Sequence, residues 1–215
     1  MKHLYISLLG SSTVTLDNRP LTQFRSAKSR ALLAYLAMQP DQDHPRPALA
    51  ALLWGDLPET AARTNLRVEL SHLKKLLQAA GALTISRQTV RLAGTAVTVD
   101  TRDLSRTVQT FLSLPGESLQ RRRPELARTV ATYQGEFLAG FHLPDAPDFD
   151  DWQRQTQERL HAQVMQALTA LQQHYAAQGQ WAKAVRRCSW RRSAGLYGRK
   201  WPDGHCGAGA ALFAH

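Results

Sequence analysis

The chain has 215 residues, which is enough for one large domain or two small ones with proper hydrophobic cores. Its 27 lysines and arginines outnumber its 17 acidic residues, and the formal charge of +10 favours a polyanionic partner, either nucleic acid or an anionic membrane surface. No run approaches the roughly 20 apolar residues that cross a bilayer, and the N-terminus lacks a signal-peptide pattern. The two widely spaced cysteines fit a reducing compartment. We therefore expect a soluble, cytoplasmic protein without a membrane partner.

The excess charge is concentrated at the two ends of the sequence. Residues 1–99 hold 12 basic and 6 acidic residues, and residues 186–215 hold 6 and 1. Residues 100–185, with 9 basic and 10 acidic residues, are close to neutral. This division favours a DNA-facing N-terminal part and a protein-facing middle.

The N-terminal residues predict a small antiparallel sheet that leads into helices. Residues 4–9 and 13–16 are apolar or β-branched runs separated by Gly10-Ser11-Ser12, as expected of two strands, and Leu21 opens a third. Ser26 is a typical N-cap for a helix over residues 27–38.

A second and a third helix follow. Residues 46–53 form a short helix with proline in its first turn. In residues 59–78 the leucines at 66, 70, 73 and 77 recur at i, i+4, i+7 and i+11, so they lie on one stripe, opposite a small, hydroxylated and basic side. An ordinary solvated surface helix has the same pattern. The segments that precede and follow residues 59–78 are therefore needed to distinguish such a helix from one that reads DNA.

Those neighbours complete a winged helix. Strands over residues 83–85 and 90–92 predict a hairpin with a basic tip at Arg87, and residues 97–99 add another strand. In a winged helix the third helix enters the major groove and the hairpin reaches the adjacent backbone. We therefore expect the base-reading residues to be Thr64, Arg67, Val68, Ser71 and Lys75. We expect the phosphate and wing contacts to be Lys28, Arg63, Lys74 and Arg87.

Several segments resemble the SARP class of bacterial activators, the Streptomyces antibiotic regulatory proteins. They are Leu8-Leu9-Gly10, residues 30–37, Leu52-Leu53-Trp54, residues 62–67 and residues 70–74. The resemblance implies an OmpR-type winged-helix domain over residues 1–99, followed by an all-helical bacterial transcriptional activator domain. It also implies that copies bind promoter direct repeats side by side, and that the helical domain assists self-association or contact with RNA polymerase.

Residues 100–187 are expected to form this second, tetratricopeptide-like domain. The pattern predicts helices from Asp100 to about Leu112, from Pro124 to about Phe137 and from Trp152 to Gln178, with a partner helix starting near Trp181. We expect the aromatic residues at 133, 137, 141, 149 and 152 to pack in the core, and the arginines at 121–123 to lie in a solvated loop. The aspartates at 145, 148, 150 and 151 lack the spacing of a calcium loop and are expected at caps and on the surface.

Residues 188–215 differ from the rest of the chain. Helical periodicity ends, and glycine, tryptophan and arginine become frequent. We expect a disordered tail or the product of a reading-frame shift, which would leave the helical domain truncated. Cys188, His205 and Cys206 lack the paired spacing of a zinc site, so no metal or cofactor is predicted.

The sequence contains no phosphate-binding loop, nucleophile elbow or zinc-protease motif, so we do not expect an enzyme. It favours a sequence-specific transcriptional activator whose partners are double-stranded DNA and, by resemblance, RNA polymerase, with a homodimer on DNA. The alternative is a helical-repeat module that binds another protein and has weak or vestigial affinity for DNA.

Overall fold

The computed structural model describes residues 2–113, 116–131, 133 and 135–177. In chain order its strands and α-helices are β1 (Leu4–Ser7), β2 (Thr13–Leu16), β3 (Arg19–Pro20), α1 (Ala27–Met38), β4 (His44–Pro45), α2 (Arg46–Trp54), α3 (Glu59–Leu76), β5 (Leu83–Ile85), β6 (Thr89–Leu92), β7 (Val97–Val99), α4 (Asp100–Leu112), α5 (Gly116–Ala131) and α6 (Pro147–Ala177). The order confirms the predicted fold class, a mixed α and β winged helix followed by helices.

The strands form two small sheets. In the first, the order is β3-β2-β1-β7, and β1 is antiparallel to β2 but parallel to β7. In the second, the order is β4-β6-β5, and the β5–β6 hairpin is the predicted wing. Since β7 lies beside β1, the start of α4 lies next to the end of the first strand.

The N-terminal strands differ in detail from the prediction. β1 ends at Ser7 rather than at Leu9, because the Asp100 carboxylate accepts the amide protons of Leu8 and Leu9 at 2.9 and 3.1 Å. The third strand is Arg19–Pro20 and does not begin at Leu21. It follows a tight turn in which two consecutive residues have positive φ, as short hairpin turns require.

One hydrophobic core runs through the winged helix and the helices that follow it. Trp152 of α6 packs against Tyr35 of α1 and against Phe137, with ring centroids 4.9 and 5.6 Å apart. Backbone hydrogen bonds join the same two parts: the amide of Gly10 donates to the carbonyl of Glu136 at 2.9 Å, and the amide of Leu138 to the carbonyl of Leu8 at 2.8 Å. The domain boundary at residue 100 stays a prediction, although strand structure gives way to helix there.

The helix α5 corrects one prediction. It begins at Gly116 and ends at Ala131, with Pro124 in its interior, so the expected start at Pro124 and end near Phe137 were wrong. Arg122 therefore lies on a helix and not in a loop. The chain leaves helical geometry before Phe137 because that residue pairs with Leu9 as an isolated β-bridge.

The predicted aromatic packing is confirmed. Tyr133, Phe137 and Phe149 are fully buried, while Phe141 and Trp152 are partly buried against the core. The long helix α6 places its apolar stripe inward, with Leu160, Val164, Leu168 and Leu171 at 0% exposure. The predicted partner helix near Trp181 and the atypical tail at 188–215 lie outside the described residues.

Candidate nucleic-acid interface

The third helix, α3, is held in place by its leucine side. Leu66, Leu70 and Leu73 are each at most 1% exposed and pack against α1 and α2. Leu77, the last leucine of the stripe, lies just past the end of the helix and is also buried. This burial fixes which side of α3 faces the solvent.

All the side chains predicted to read bases lie on that outer side. Each is exposed, including the apolar Val68 with 38% of its surface accessible. The set consists of Thr64, Arg67, Val68, Ser71 and Lys75. The Thr64 hydroxyl donates to the carbonyl of Thr60 at 2.9 Å, so this group is partly engaged by its own helix.

The outer side of α3 is strongly cationic. It carries Arg63, Arg67, Lys74 and Lys75, and Glu59 in the first turn is its one exposed carboxylate, ion-paired with Arg63 four positions later. In the part of the chain that the structure describes, no carboxylate lies within salt-bridge distance of Arg67, Lys74 or Lys75. These charges are therefore available to an external anion.

The wing stands beside the start of α3. Its tip is ordered by Ser86, whose hydroxyl oxygen accepts the amide protons of Gln88 and Thr89 at 3.1 and 2.8 Å, which leaves Arg87 exposed. Between the wing and α3 lies a cavity of about 510 Å³ whose lining includes Arg46, Arg63 and Arg87. Two predicted phosphate contacts thus converge on one concave surface.

Arg46 is a member of this surface that the sequence did not indicate. Its guanidinium donates to the carbonyl of Ser86 at 3.3 Å, and its amide donates to the carbonyl of Gln88 at 2.8 Å. Arg46 opens α2, and β4, just before it, pairs with β6 of the wing. In a sequence, a basic residue at the start of a helix next to a strand is only weak evidence of DNA contact. The pairing of β4 with β6 is what shows that Arg46 lies beside the wing.

Lys28 does not join this surface. Its ammonium lies 2.7 Å from a carboxylate oxygen of Asp145, and only 13% of its side chain is exposed. It also lies over the ring of Trp54, 5.1 Å from the centroid. The side-chain hydrogen bond from Lys28 lowers the pKa of Asp145. A loop distant in the sequence therefore already supplies an anion to Lys28, and the phosphate contact of Lys28 stays a prediction.

A buried carboxylate on α3 is the second residue that sequence reasoning missed. Glu69 is 6% exposed and accepts hydrogen bonds from the hydroxyls of Ser26 and Ser29 at the start of α1. Ser26 in turn caps α1, since its hydroxyl oxygen accepts the amide proton of Ser29 at 3.0 Å, as predicted. Glu69 therefore fixes the orientation of α3 relative to α1.

The described residues hold no group of three or more His, Cys, Asp or Glu side chains suited to binding a metal ion. Three aspartates near the start of α6 contact basic side chains instead: Asp145 pairs with the distant Lys28, Asp150 with His142, and Asp151 with Arg154. Among the helices that the structure describes, none is long and apolar enough to cross a membrane.

Comparison with known proteins agrees with this architecture, although no family model matches the chain. The transcriptional regulatory protein EmbR of Mycobacterium bovis and that of Mycobacterium tuberculosis are each 35% identical to it over 80 residues, which is 37% of this chain and 20% of each relative. The solved structure of Mycobacterium tuberculosis EmbR in complex with a low affinity phosphopeptide superimposes with a TM-score of 0.68 at 25% identity. That match covers 86% of this chain and 48% of the solved chain.

The fold and its exposed basic helix define a winged-helix protein with an attached helical part. The sequence match over 80 residues and the structural match make this chain similar to EmbR, a transcriptional regulatory protein. The chain spans about half the length of the solved relative, and its aligned sequence spans a fifth of the curated ones.

Proposed function

We propose that this protein is a sequence-specific DNA-binding transcriptional activator of the cytoplasm that reads promoter direct repeats with α3. The observation that carries the proposal is the outer side of α3, where four cations and small polar side chains are exposed together while the leucine side is buried. A single α-helix with such a face fits the major groove of B-DNA.

Two kinds of contact follow from the positions of the side chains. Arg67 is suited to a bidentate bond with guanine and Val68 to contact with the methyl group of thymine, so these residues would read sequence, together with Thr64, Ser71 and Lys75. Arg63, Lys74 and Arg87 lie at the edge of α3 and on the wing, where they would hold phosphates and set the register. We add Arg46 to this second group, because it lines the same cavity.

The helical part would serve self-association on DNA, as a homodimer, or contact with RNA polymerase. Its near-neutral charge supports a protein-facing role rather than a DNA-facing one. The relatives named above are themselves described as transcriptional regulatory proteins.

The test begins with selection of bound duplexes from a random pool by the full chain. Affinity for the selected duplex is then compared between the wild type and the double variant Arg67→Ala/Lys75→Ala. Each base contact is worth roughly 1–3 kcal/mol, so the double variant should bind at least about 30-fold more weakly while keeping the same thermal unfolding midpoint. The matched control is Arg128→Ala/Arg154→Ala, which removes two exposed charges from α5 and α6.

Three outcomes test whether α3 reads the DNA sequence. Equal affinity of the α3 variant and the control would refute the proposal and favour a protein-interaction module. Recovery of no preferred duplex would do the same. Alanine at Lys74 or Arg87 should instead weaken binding to all duplexes alike and lower the salt dependence by about one counterion per residue.

A further inference from the structure

A second basic cavity lies away from α3, where the winged helix meets the helical part. Its volume is about 540 Å³, and its walls come from β7, α4 and α6. Cavities of this size, at junctions between structural units, commonly hold small-molecule ligands. No residue of α3 lines it.

The side chains of this cavity are placed by helical spacing. On α4, Arg102, Ser105, Arg106 and Gln109 share one face at i, i+3, i+4 and i+7, and Thr101 and Asp103 also line the cavity. On α6 they are Arg159 and Gln163, one turn apart. The hydroxyl of Ser105 donates to the amide oxygen of Gln163 at 2.7 Å and so joins the two helices beside the cavity.

The charges around the cavity are unbalanced. Three guanidinium groups line it but only one carboxylate, that of Asp103, which pairs with Arg106 at 3.0 Å. Within the described ranges, no carboxylate lies within salt-bridge distance of Arg102 or Arg159. All three arginines are exposed to solvent, and their guanidinium groups can form bidentate hydrogen bonds with a bound dianion.

The remaining lining gives the cavity a mixed character. Met38, Val97 and Val99 contribute apolar surface, and Thr98 contributes a hydroxyl that already bonds to a ring nitrogen of His3 at 2.7 Å. An occupant would thus combine a strongly anionic group with a carbon skeleton. Inorganic ions alone would leave the apolar part of the surface unused.

We propose that this cavity binds a small organic molecule with two or more negative charges, carried by phosphate or carboxylate groups. Because β7 belongs to the sheet of the winged helix and α6 to the helical part, the ligand would contact both parts of the protein at once. The proposal does not depend on DNA binding.

The experiment is calorimetric titration of the full chain, without DNA and at constant ionic strength. The probes are fructose 1,6-bisphosphate as a phosphate ester, citrate as a polycarboxylate, and glucose as an uncharged control. We expect one site per chain for at least one anionic probe and no binding of glucose. Loss of a hydrogen-bonded charge at the site should weaken binding by at least 10-fold in Arg159→Gln and in Arg102→Gln.

The matched control is Arg154→Gln, which removes the same charge from the exposed surface of α6 outside the cavity. The Arg67→Ala/Lys75→Ala variant should also bind the probe like the wild type, so failure of the DNA proposal and failure of this one are distinguishable. Binding by the phosphate ester alone or by citrate alone supports the proposal. It also shows whether phosphate or carboxylate groups carry the negative charge of the ligand. No saturable binding by either anion, or equal weakening in Arg159→Gln and Arg154→Gln, overturns it.

Discussion

Removal of the buried Glu69 carboxylate should weaken the contact between α3 and α1. One carboxylate oxygen accepts the Ser26 hydroxyl at 3.0 Å, and the other accepts the Ser29 hydroxyl. Ser29 is 0% exposed, so in Glu69→Ala its hydroxyl cannot turn to water, whereas Ser26 is partly accessible. The Arg25 guanidinium lies 3.7 Å from Glu69, but its side chain is 52% exposed.

The size of the effect follows from these contacts. A hydrogen bond to a charged group contributes roughly 1.5–3 kcal/mol, and the half-exposed ion pair contributes less than about 1 kcal/mol. Removing the carboxylate also removes its desolvation cost, which offsets part of the loss. We therefore expect Glu69→Ala to lower the free energy of unfolding by about 2–4 kcal/mol, mostly through Ser29.

A double-mutant cycle in urea measures this directly. Glu69→Ala, Ser29→Ala and the double variant should show a coupling of about 1–2 kcal/mol, with shifted midpoints and unchanged m-values. The control is Glu158→Ala, an exposed carboxylate on α6, which should stay within about 0.5 kcal/mol of the wild type. Additive effects in the cycle, or a Glu69 variant as stable as the control, would refute the reasoning.

Three further predictions concern two other buried polar groups, Tyr133 and Asp100. Burial, with a smaller contribution from the Glu136 carboxylate, raises the pKa of Tyr133 to about 12. Its neutral form therefore stabilises the fold below the unfolded pKa of about 10, and this contribution is lost as the pH rises toward 12. Over that pH range, the urea midpoint of unfolding should fall more steeply in the wild type than in Tyr133→Phe. Equal slopes of midpoint against pH would contradict this prediction. The Tyr133 hydroxyl has no hydrogen-bond partner among the described residues, so the phenylalanine variant should be at least as stable at neutral pH. The Asp100 carboxylate accepts the amide protons of Leu8, Leu9 and Thr101. Asp100→Ala should therefore lower the free energy of unfolding, measured by thermal unfolding, by about 3 kcal/mol or more. A loss no larger than that of the exposed control Asp56→Ala would show that these amides find other partners.

Local sequence patterns were sufficient to predict the winged helix and to predict which side of α3 is exposed. The leucine spacing predicted a helix from Glu59, and the observed α3 begins at that residue. Ser26 was predicted as an N-cap and makes the expected bond, because a cap depends only on residues three positions away. The β5–β6 hairpin followed from two short β-branched runs.

Features that depend on distant residues were not predictable in this way. Lys28 reads as a free cation until the loop carrying Asp145, more than a hundred positions later, is placed beside it. Glu69 occurs among solvated charges in the sequence, and only the packing of α1 shows that it is buried. For α5, the proline rule was misleading, because good helix formers such as Leu119 and Gln120 precede Pro124 and extend the helix through it.

The backbone pairing of Leu8 and Gly10 with the segment that contains Glu136 and Leu138 has a geometric consequence. Two parts joined by hydrogen bonds and a shared core cannot turn independently, in contrast to domains on a flexible linker. If α3 docks in the major groove as proposed, α6 takes one angular position around the DNA axis. The helical phase of the binding site, about 10 base pairs per turn, would then determine which side of the duplex the helical part faces.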